Sequence, residues 1–150
     1  KFIARTSQIP GRTQQWNFFE VGNSQIRLVD FPGFGYAKAS KSSIQKWNNL
    51  IKYYIKYRSS LVRVFLLIDS RRGITNPDRD AMEIFNKFAV SYQIVLTKID
   101  KLKSSELKSI LEEVIKESHK NVAAHPFIHL TSSLKGIGVN FLRADIARLL

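Results

Sequence analysis

Residues 62–100 read VRVFLLIDSRRGITNPDRDAMEIFNKFAVSYQIVLTKID, and their pattern decides the fold class. Val62–Ile68 is an apolar run broken only by Arg63, as expected of a strand buried on both faces. Asn76-Pro77-Asp78 then sets a polar cap, a proline at the first helical position and an early acid in order, which predicts a helix start. Met82, Ile84, Phe85 and Phe88 continue that helix. Tyr92–Leu96 is a second buried strand. Strand, helix and strand in so short a span make a βαβ unit and predict parallel pairing. Upstream, Trp16–Val21 and Gln25–Val29 flank the turn residues Gly22-Asn23-Ser24 and predict an antiparallel hairpin. Ser43–Tyr57 carries Ile44, Trp47, Leu50, Ile51, Tyr54 and Ile55 at helical spacing. Downstream, Ser104 and Ser105 cap a helix through Leu107, Ile110, Leu111, Val114 and Ile115. Pro126–Leu130 predicts a last strand. Val139–Leu150 predicts a last helix with Phe141, Leu142, Ile146 and Leu149 inward. The expected class is α/β, with a mostly parallel sheet and one antiparallel edge hairpin. No repeat, low-complexity tract or linker interrupts the chain, so residues 1–150 are expected to form a single domain.

Composition narrows the function classes. The chain has 150 residues, 24 Lys+Arg against 12 Asp+Glu, a formal charge of +12 and no Cys. Thiolate metal sites, cysteine nucleophiles and redox pairs are therefore excluded. No apolar run approaches the roughly 18 residues of a membrane span, and no signal-peptide pattern opens the chain. The expectation is a soluble, cytoplasmic, basic domain with no membrane partner. The charge excess favours an anionic partner, most simply nucleic acid.

In parallel α/β sheets, ligands sit at the carboxyl ends of the strands. Four segments there or beside the hairpin carry candidate chemistry. After QIRLV comes Asp30-Phe31-Pro32-Gly33. A carboxylate at that strand end can hold a Mg²⁺-bound water, and the glycine lets a backbone N–H approach a phosphate; a plain strand-to-loop turn is the bland alternative. After YQIVL comes Thr97-Lys98-Ile99-Asp100. A carboxylate there can accept hydrogen bonds from guanine N1–H and the 2-amino group, which adenine cannot donate. The Lys98 stem could cover one face of the base; a solvated Lys/Asp pair opening a loop is the alternative. After FIHL comes Thr131-Ser132-Ser133-Leu134-Lys135-Gly136, whose small residues let backbone amides reach the guanine carbonyl. Ahead of the hairpin, Pro10-Gly11-Arg12-Thr13-Gln14 offers a threonine hydroxyl that could ligate Mg²⁺ when a terminal phosphate is present. The last two are also explained as a Ser-rich turn and a Pro-Gly turn.

The order of these elements is that of the G2 to G5 motifs of translation-factor-type GTPases. PGRTQ, NFFEV, RLVDFPGFGYAK, LLIDSRRG, TKIDKL and SSLKGIGV together resemble the EngB/YihA family of bacterial ribosome-biogenesis GTPases, across essentially the whole chain. The resemblance implies a P-loop NTPase fold of the small G-protein type, three-layered α/β/α, within the TrmE-Era-EngA-EngB-Septin-like superfamily of the TRAFAC class. It implies that Thr13 ligates Mg²⁺ within a nucleotide-contacting Gly11, Arg12, Thr13, Gln14, Gln15 segment. Asp30 would hold Mg²⁺ through water, and Gly33, with Phe31 and Pro32 beside it, would contact the γ-phosphate. Thr97, Lys98, Ile99 and Asp100 would bind guanine, and Thr131, Ser132 and Ser133 would close over the base. GTP or GDP and Mg²⁺ are the implied cofactors, and a monomer is the default state. The implied role is in assembly of the large ribosomal subunit, with a link to cell division and septation.

Two departures accompany the resemblance. No G-x-x-x-x-G-K-[ST] phosphate loop occurs anywhere in the chain. The chain also begins at Lys1 rather than Met. The expectation is that a strand, the phosphate loop and a first helix precede Lys1. That strand would pair between Gln25–Val29 and Val62–Ile68, and without it two edges and the core would lie open. The second departure is Phe34, which stands where many GTPases carry a water-orienting Gln. Slow intrinsic hydrolysis is expected, and no catalytic base is assigned. K⁺ is a further candidate cofactor, since some relatives hold it at the phosphate loop.

A basic tract completes the reading. From Phe31 to Ile68 there is no acid, while Lys38, Lys41, Lys46, Lys52, Lys56, Arg58 and Arg63 fall there, interleaved with Tyr36, Trp47, Tyr53, Tyr54 and Tyr57. The first six of these cations are the candidate contact to ribosomal RNA; a solvated helix face is the alternative. Trp47 and Tyr54 are expected to face inward. His119, His125 and His129 show no metal-site spacing, and His129 is expected on a strand's polar side. Asp69, Arg71 and Arg72 are read as structural, with Asp69 capping its loop. The competing function is a non-hydrolysing rRNA-binding scaffold with a relic guanine pocket.

Overall fold

The computed structural model describes residues 17–22, 25–31 and 41–149, the side chains of 41–48 excepted. The hairpin is β1 (Asn17–Val21) and β2 (Ile26–Asp30). Its strands pair antiparallel, with Asn17 opposite Asp30 and Val21 opposite Ile26. Helix α1 (Lys41–Tyr57) follows. Next come β3 (Val64–Asp69), α2 (Asn76–Lys87), β4 (Tyr92–Thr97), α3 (Ser104–Ser118), β5 (His129–Leu130) and α4 (Val139–Ala147). The strands form two sheets, the β1–β2 hairpin and a parallel sheet ordered β3-β4-β5. The chain is α/β, as its sequence pattern indicates. Two compact units emerge, Lys1–Leu50 with Leu150, and Ile51–Leu149.

The second unit is built on β4. Its residues Tyr92 to Leu96 are all buried, because the strand lies between β3 and β5 and apolar side chains leave both faces. Ala81, Met82 and Phe85 of α2 and Val114 of α3 are buried with it, and the Phe85 and Tyr92 rings lie 5.2 Å apart. Ile51 and Ile55 of α1 are buried one turn apart. The first turn of α2 is fixed by Asp78, whose carboxylate accepts the Thr75 N–H at 2.8 Å and its hydroxyl at 2.5 Å. The cap is thus Thr75, one residue ahead of the predicted Asn76. In α3 the Glu106 carboxylate accepts the Lys103 N–H at 2.7 Å, so Lys103 rather than a serine sits at the cap.

Three expectations are corrected. β3 is buried on one face only: Leu66 and Ile68 are buried, while Leu67 between them is 64 % exposed. An apolar run reports potential burial on both faces, and the neighbouring elements decide which face is covered. The predicted strand over 126–130 shrinks to His129–Leu130. The Gln93 side-chain amide donates to Phe127 O at 3.1 Å, taking an acceptor the ladder would otherwise use. Phe141 of α4 faces solvent, and no residue of that helix is fully buried. Among the described residues no helix is long and apolar enough to cross a membrane.

Candidate functional site

The carboxyl ends of β3, β4 and β5 bring three loops of the second unit together. β4 and β5 run parallel with Leu96 opposite Leu130, so the residues that follow each strand emerge side by side. Thr131 N–H donates to Leu96 O at 2.7 Å, and Ile99 N–H donates back to Thr131 O at 3.2 Å. The segments Thr97–Asp100 and Thr131–Ser133 are therefore joined backbone to backbone. The two threonine hydroxyls are spent on this frame: Thr97 Oγ1 donates to Ile68 O and Thr131 Oγ1 to Leu96 O, each at 3.1 Å. Both hydroxyls hold the loops together.

Between the joined loops Ser132, which is fully buried, donates its hydroxyl to Asp100 Oδ1 at 2.5 Å. Ser132 Oγ in turn accepts the Lys135 N–H at 3.1 Å. The Ser132 hydroxyl bond aims the carboxylate, and it is the main reason the Asp100 carboxyl is held below its usual range. Asp100 is thus an ionised, oriented, acceptor-only group. Ser132 N–H is already paired with Ile137 O at 2.9 Å and Lys135 N–H with Ser132 Oγ, so an incoming carbonyl would meet the amides of Ser133 and Leu134. Ser133 itself is exposed at the rim.

The loop after β3 supplies a feature that sequence reasoning missed. Asp69 accepts the Arg71 guanidinium at 2.9 and 2.6 Å, the Arg71 N–H at 3.1 Å and the Lys98 ammonium at 2.8 Å. It caps its loop as expected, and it also fixes the lysine of the neighbouring loop. Arg71 foremost, with Lys98 beside it, holds the Asp69 carboxyl well below the usual range. Lys98 adopts the left-handed backbone region, at φ 59° and ψ 31°. Such a conformation costs a lysine about 1–2 kcal/mol, and strain of this kind is tolerated where the surroundings over-determine it. A sequence signal existed, since Asp69 and Thr97 end adjacent parallel strands, but the 29-residue separation of Asp69 and Lys98 hid it.

The remaining candidate residues divide by position. Asp30 ends β2 and is exposed, with Phe31 just beyond. Gly11, Arg12, Thr13, Gln14, Gln15, Pro32, Gly33, Phe34 and Lys38 lie outside the described residues, as do the side chains of Lys41, Lys46 and Trp47. Among the described residues no group of His, Cys, Asp and Glu could hold a metal ion by itself. His129 lies on the polar side of its strand as expected, but that side is buried: it is 3 % exposed, and its Nε2 lies 2.9 Å from Asp145 Oδ2. Asp145 also accepts from Gln93 at 3.0 Å. The polar side of β5 therefore faces an internal network.

Comparison with known proteins bears on this arrangement. A family described as 50S ribosome-binding GTPase matches residues 1–98. A probable GTP-binding protein EngB of Rhodospirillum rubrum is 49 % identical over 99 % of this chain and 66 % of its own length. Its namesake from Hyphomonas neptunium is 46 % identical over 98 % of this chain and 68 % of its own. The chain belongs to the EngB family of GTP-binding proteins. It spans about two thirds of the length of these EngB relatives. The crystal structure of a probable GTP-binding protein EngB superposes with a TM-score of 0.71 at 19 % identity, over 97 % of this chain and 84 % of the other. The elongation factor SelB of Methanococcus maripaludis, with the GTP analogue GppNHp, gives 0.66 at 20 % identity, over 90 % and 27 %. Both show the GTPase fold. In EngB terms, the loops joined above are those that follow the last two strands of the parallel sheet.

Proposed function

We propose that this EngB-family protein is a guanine-nucleotide switch, a slow GTPase of one G domain that acts in assembly of the large ribosomal subunit. The observation that carries the reading is the Asp100 carboxylate, aimed by buried Ser132 between two loops that are hydrogen-bonded to each other. A carboxylate accepts from both guanine N1–H and the 2-amino group. Adenine offers neither donor at those positions and would leave an oriented acceptor unpaired, so the site should reject it strongly. The amides of Ser133 and Leu134 would receive the guanine carbonyl, and the Lys98 stem would cover one face of the base.

Magnesium fits the donor type at Asp30, an exposed carboxylate at a strand end, where a hard cation keeps its waters. Thr13 would supply the direct ligand and Gly33 the γ-phosphate contact, with K⁺ as a further candidate beside the phosphates. The ribosomal role rests on membership of a family described as 50S ribosome-binding. The basic tract supports a contact to rRNA of the large-subunit precursor, through Lys38, Lys41, Lys46, Lys52, Lys56 and Arg58. Cytoplasmic location, a monomeric state and a link to cell division and septation complete the proposal.

The test is nucleotide competition on the intact protein. GDP binding that ATP does not displace and that Asp100→Ala abolishes supports the switch. GDP displaced equally by ATP, or binding untouched by Asp100→Ala, refutes the assigned site and favours the RNA-binding scaffold.

A further inference from the structure

The outer face of α1 carries more than charge. Ile51 and Ile55 point into the core, which turns Lys52, Tyr53, Lys56 and Tyr57 outward at i, i+1, i+4 and i+5 as one continuous stripe. Tyr53 is 67 % and Tyr57 61 % exposed. Their rings lie 4.6 Å apart at 46°. Lys56 Nζ sits 5.0 Å from the centre of the Tyr57 ring. Just past the helix, Arg58 lies 6.0 Å from the Tyr54 ring. Two large aromatic rings left in water side by side, ringed by cations, sit in a stretch that has no acid from Phe31 to Ile68. An i, i+4 ring pair stabilises a helix only weakly, and a leucine pair would do the same.

We propose that this face of α1 is a platform for single-stranded RNA, taking unpaired bases on Tyr53 and Tyr57 and phosphates on Lys52, Lys56 and Arg58. The inference rests on the RNA-contact reading above and deepens it. Phosphate neutralisation alone would favour the more densely charged duplex over the single strand. A duplex hides its base faces, so tyrosines help only where bases are splayed out, as in loops and bulges. Lys52 to Arg58 spans about 9 Å of helix, the length of two to three stacked nucleotides at about 3.4 Å each.

The experiment is fluorescence anisotropy on the intact protein with a labelled 12-nucleotide single-stranded RNA, the corresponding RNA duplex and polyglutamate. Tyr53→Leu/Tyr57→Leu keeps apolar bulk and helix propensity, and its fold is checked by urea titration. Lys52→Gln/Lys56→Gln removes charge alone. The single strand is expected to bind at least about tenfold more tightly than the duplex. The tyrosine variant should lose at least about tenfold on the single strand, with duplex binding and salt slope unchanged. The lysine variant should weaken both RNAs and lower the salt slope. Single-strand affinity unchanged in the tyrosine variant but lowered in the lysine variant overturns the platform and leaves the RNA contact standing. No RNA binding, or binding indifferent to salt and to both variants, overturns both. Polyglutamate bound as tightly as the single strand overturns the RNA assignment in favour of an acidic protein partner.

Discussion

Gly138 and Gly136 offer a matched pair of perturbations beside the candidate base loop. Both have positive φ, 71° and 68°. At Gly136 an added Cβ would meet nothing within 4 Å, whereas at Gly138 it would sit 1.9 Å from Leu130 O and 3.1 Å from Leu130 C. A carbon and a carbonyl oxygen touch at about 3.3 Å, so Gly138→Ala must drive α4 and β5 apart by more than an ångström. Alanine in this backbone region costs about 1–2 kcal/mol, and reduced freedom of the unfolded chain returns about 0.4–1 kcal/mol. Gly136→Ala should therefore cost about 1 kcal/mol or less. Gly138→Ala adds overpacking of about 1–3 kcal/mol, for a total of about 1–4 kcal/mol. At about 2–4 °C per kcal/mol for a chain of this size, Tm should fall by at most about 4 °C in the first variant and by about 2–16 °C in the second. Because Leu130 leads directly into Thr131–Ser133, guanine nucleotide affinity should also fall in Gly138→Ala and hold in Gly136→Ala. Urea midpoints and nucleotide titrations on the intact protein give both numbers. Equal losses in the two variants would show that the close approach of Gly138 to Leu130 does not govern the loop.

Asp100→Asn replaces an acceptor-only group with one donor and one acceptor. The variant should lose guanine and gain xanthine, whose 2-carbonyl accepts where guanine's amino group donates; competition between GDP and XDP reads this directly. Asp69 has a folded-state pKa below its unfolded value near 3.9. Its stabilisation is complete above that value and is lost as pH falls through the folded pKa. The difference in urea midpoint between the wild type and Asp69→Asn should accordingly be larger at pH 7 than at pH 3; a difference independent of pH would refute the ion-pair origin. Phe85→Ala should cost about 3–5 kcal/mol, because its ring is 1 % exposed. Phe141→Ala should stay within about 0.5 kcal/mol, because that ring is 76 % exposed, and chemical denaturation separates the two.

The alternation of strands and helices was legible in the chain because it is written in local terms. Period-two and period-3.6 patterns, Pro77 at a helix start and Gly22 at a turn all act within a few residues, and β1, β2, α2, β4 and α3 lie within a few residues of where those patterns place them. The order of the loops Thr97–Asp100 and Thr131–Ser133 was equally readable, since parallel strands must deliver their following loops to one edge. Tertiary structure alone decided what depends on residues far apart. Gln93 reaches Phe127 and Asp145 reaches His129, which shortens β5 and buries a histidine that alternation placed on the strand's polar side. Asp69 reaches Lys98, which joins a loop read as structural to the candidate base site. Leu67 and Phe141 are as apolar as Leu66 and Leu142, and only the packing of the described elements leaves the first two exposed. Hydrophobic pattern states which side chains can be buried; which of them are buried, and which hydroxyl meets which carboxylate, follows from close packing and from the pairing of polar groups removed from water.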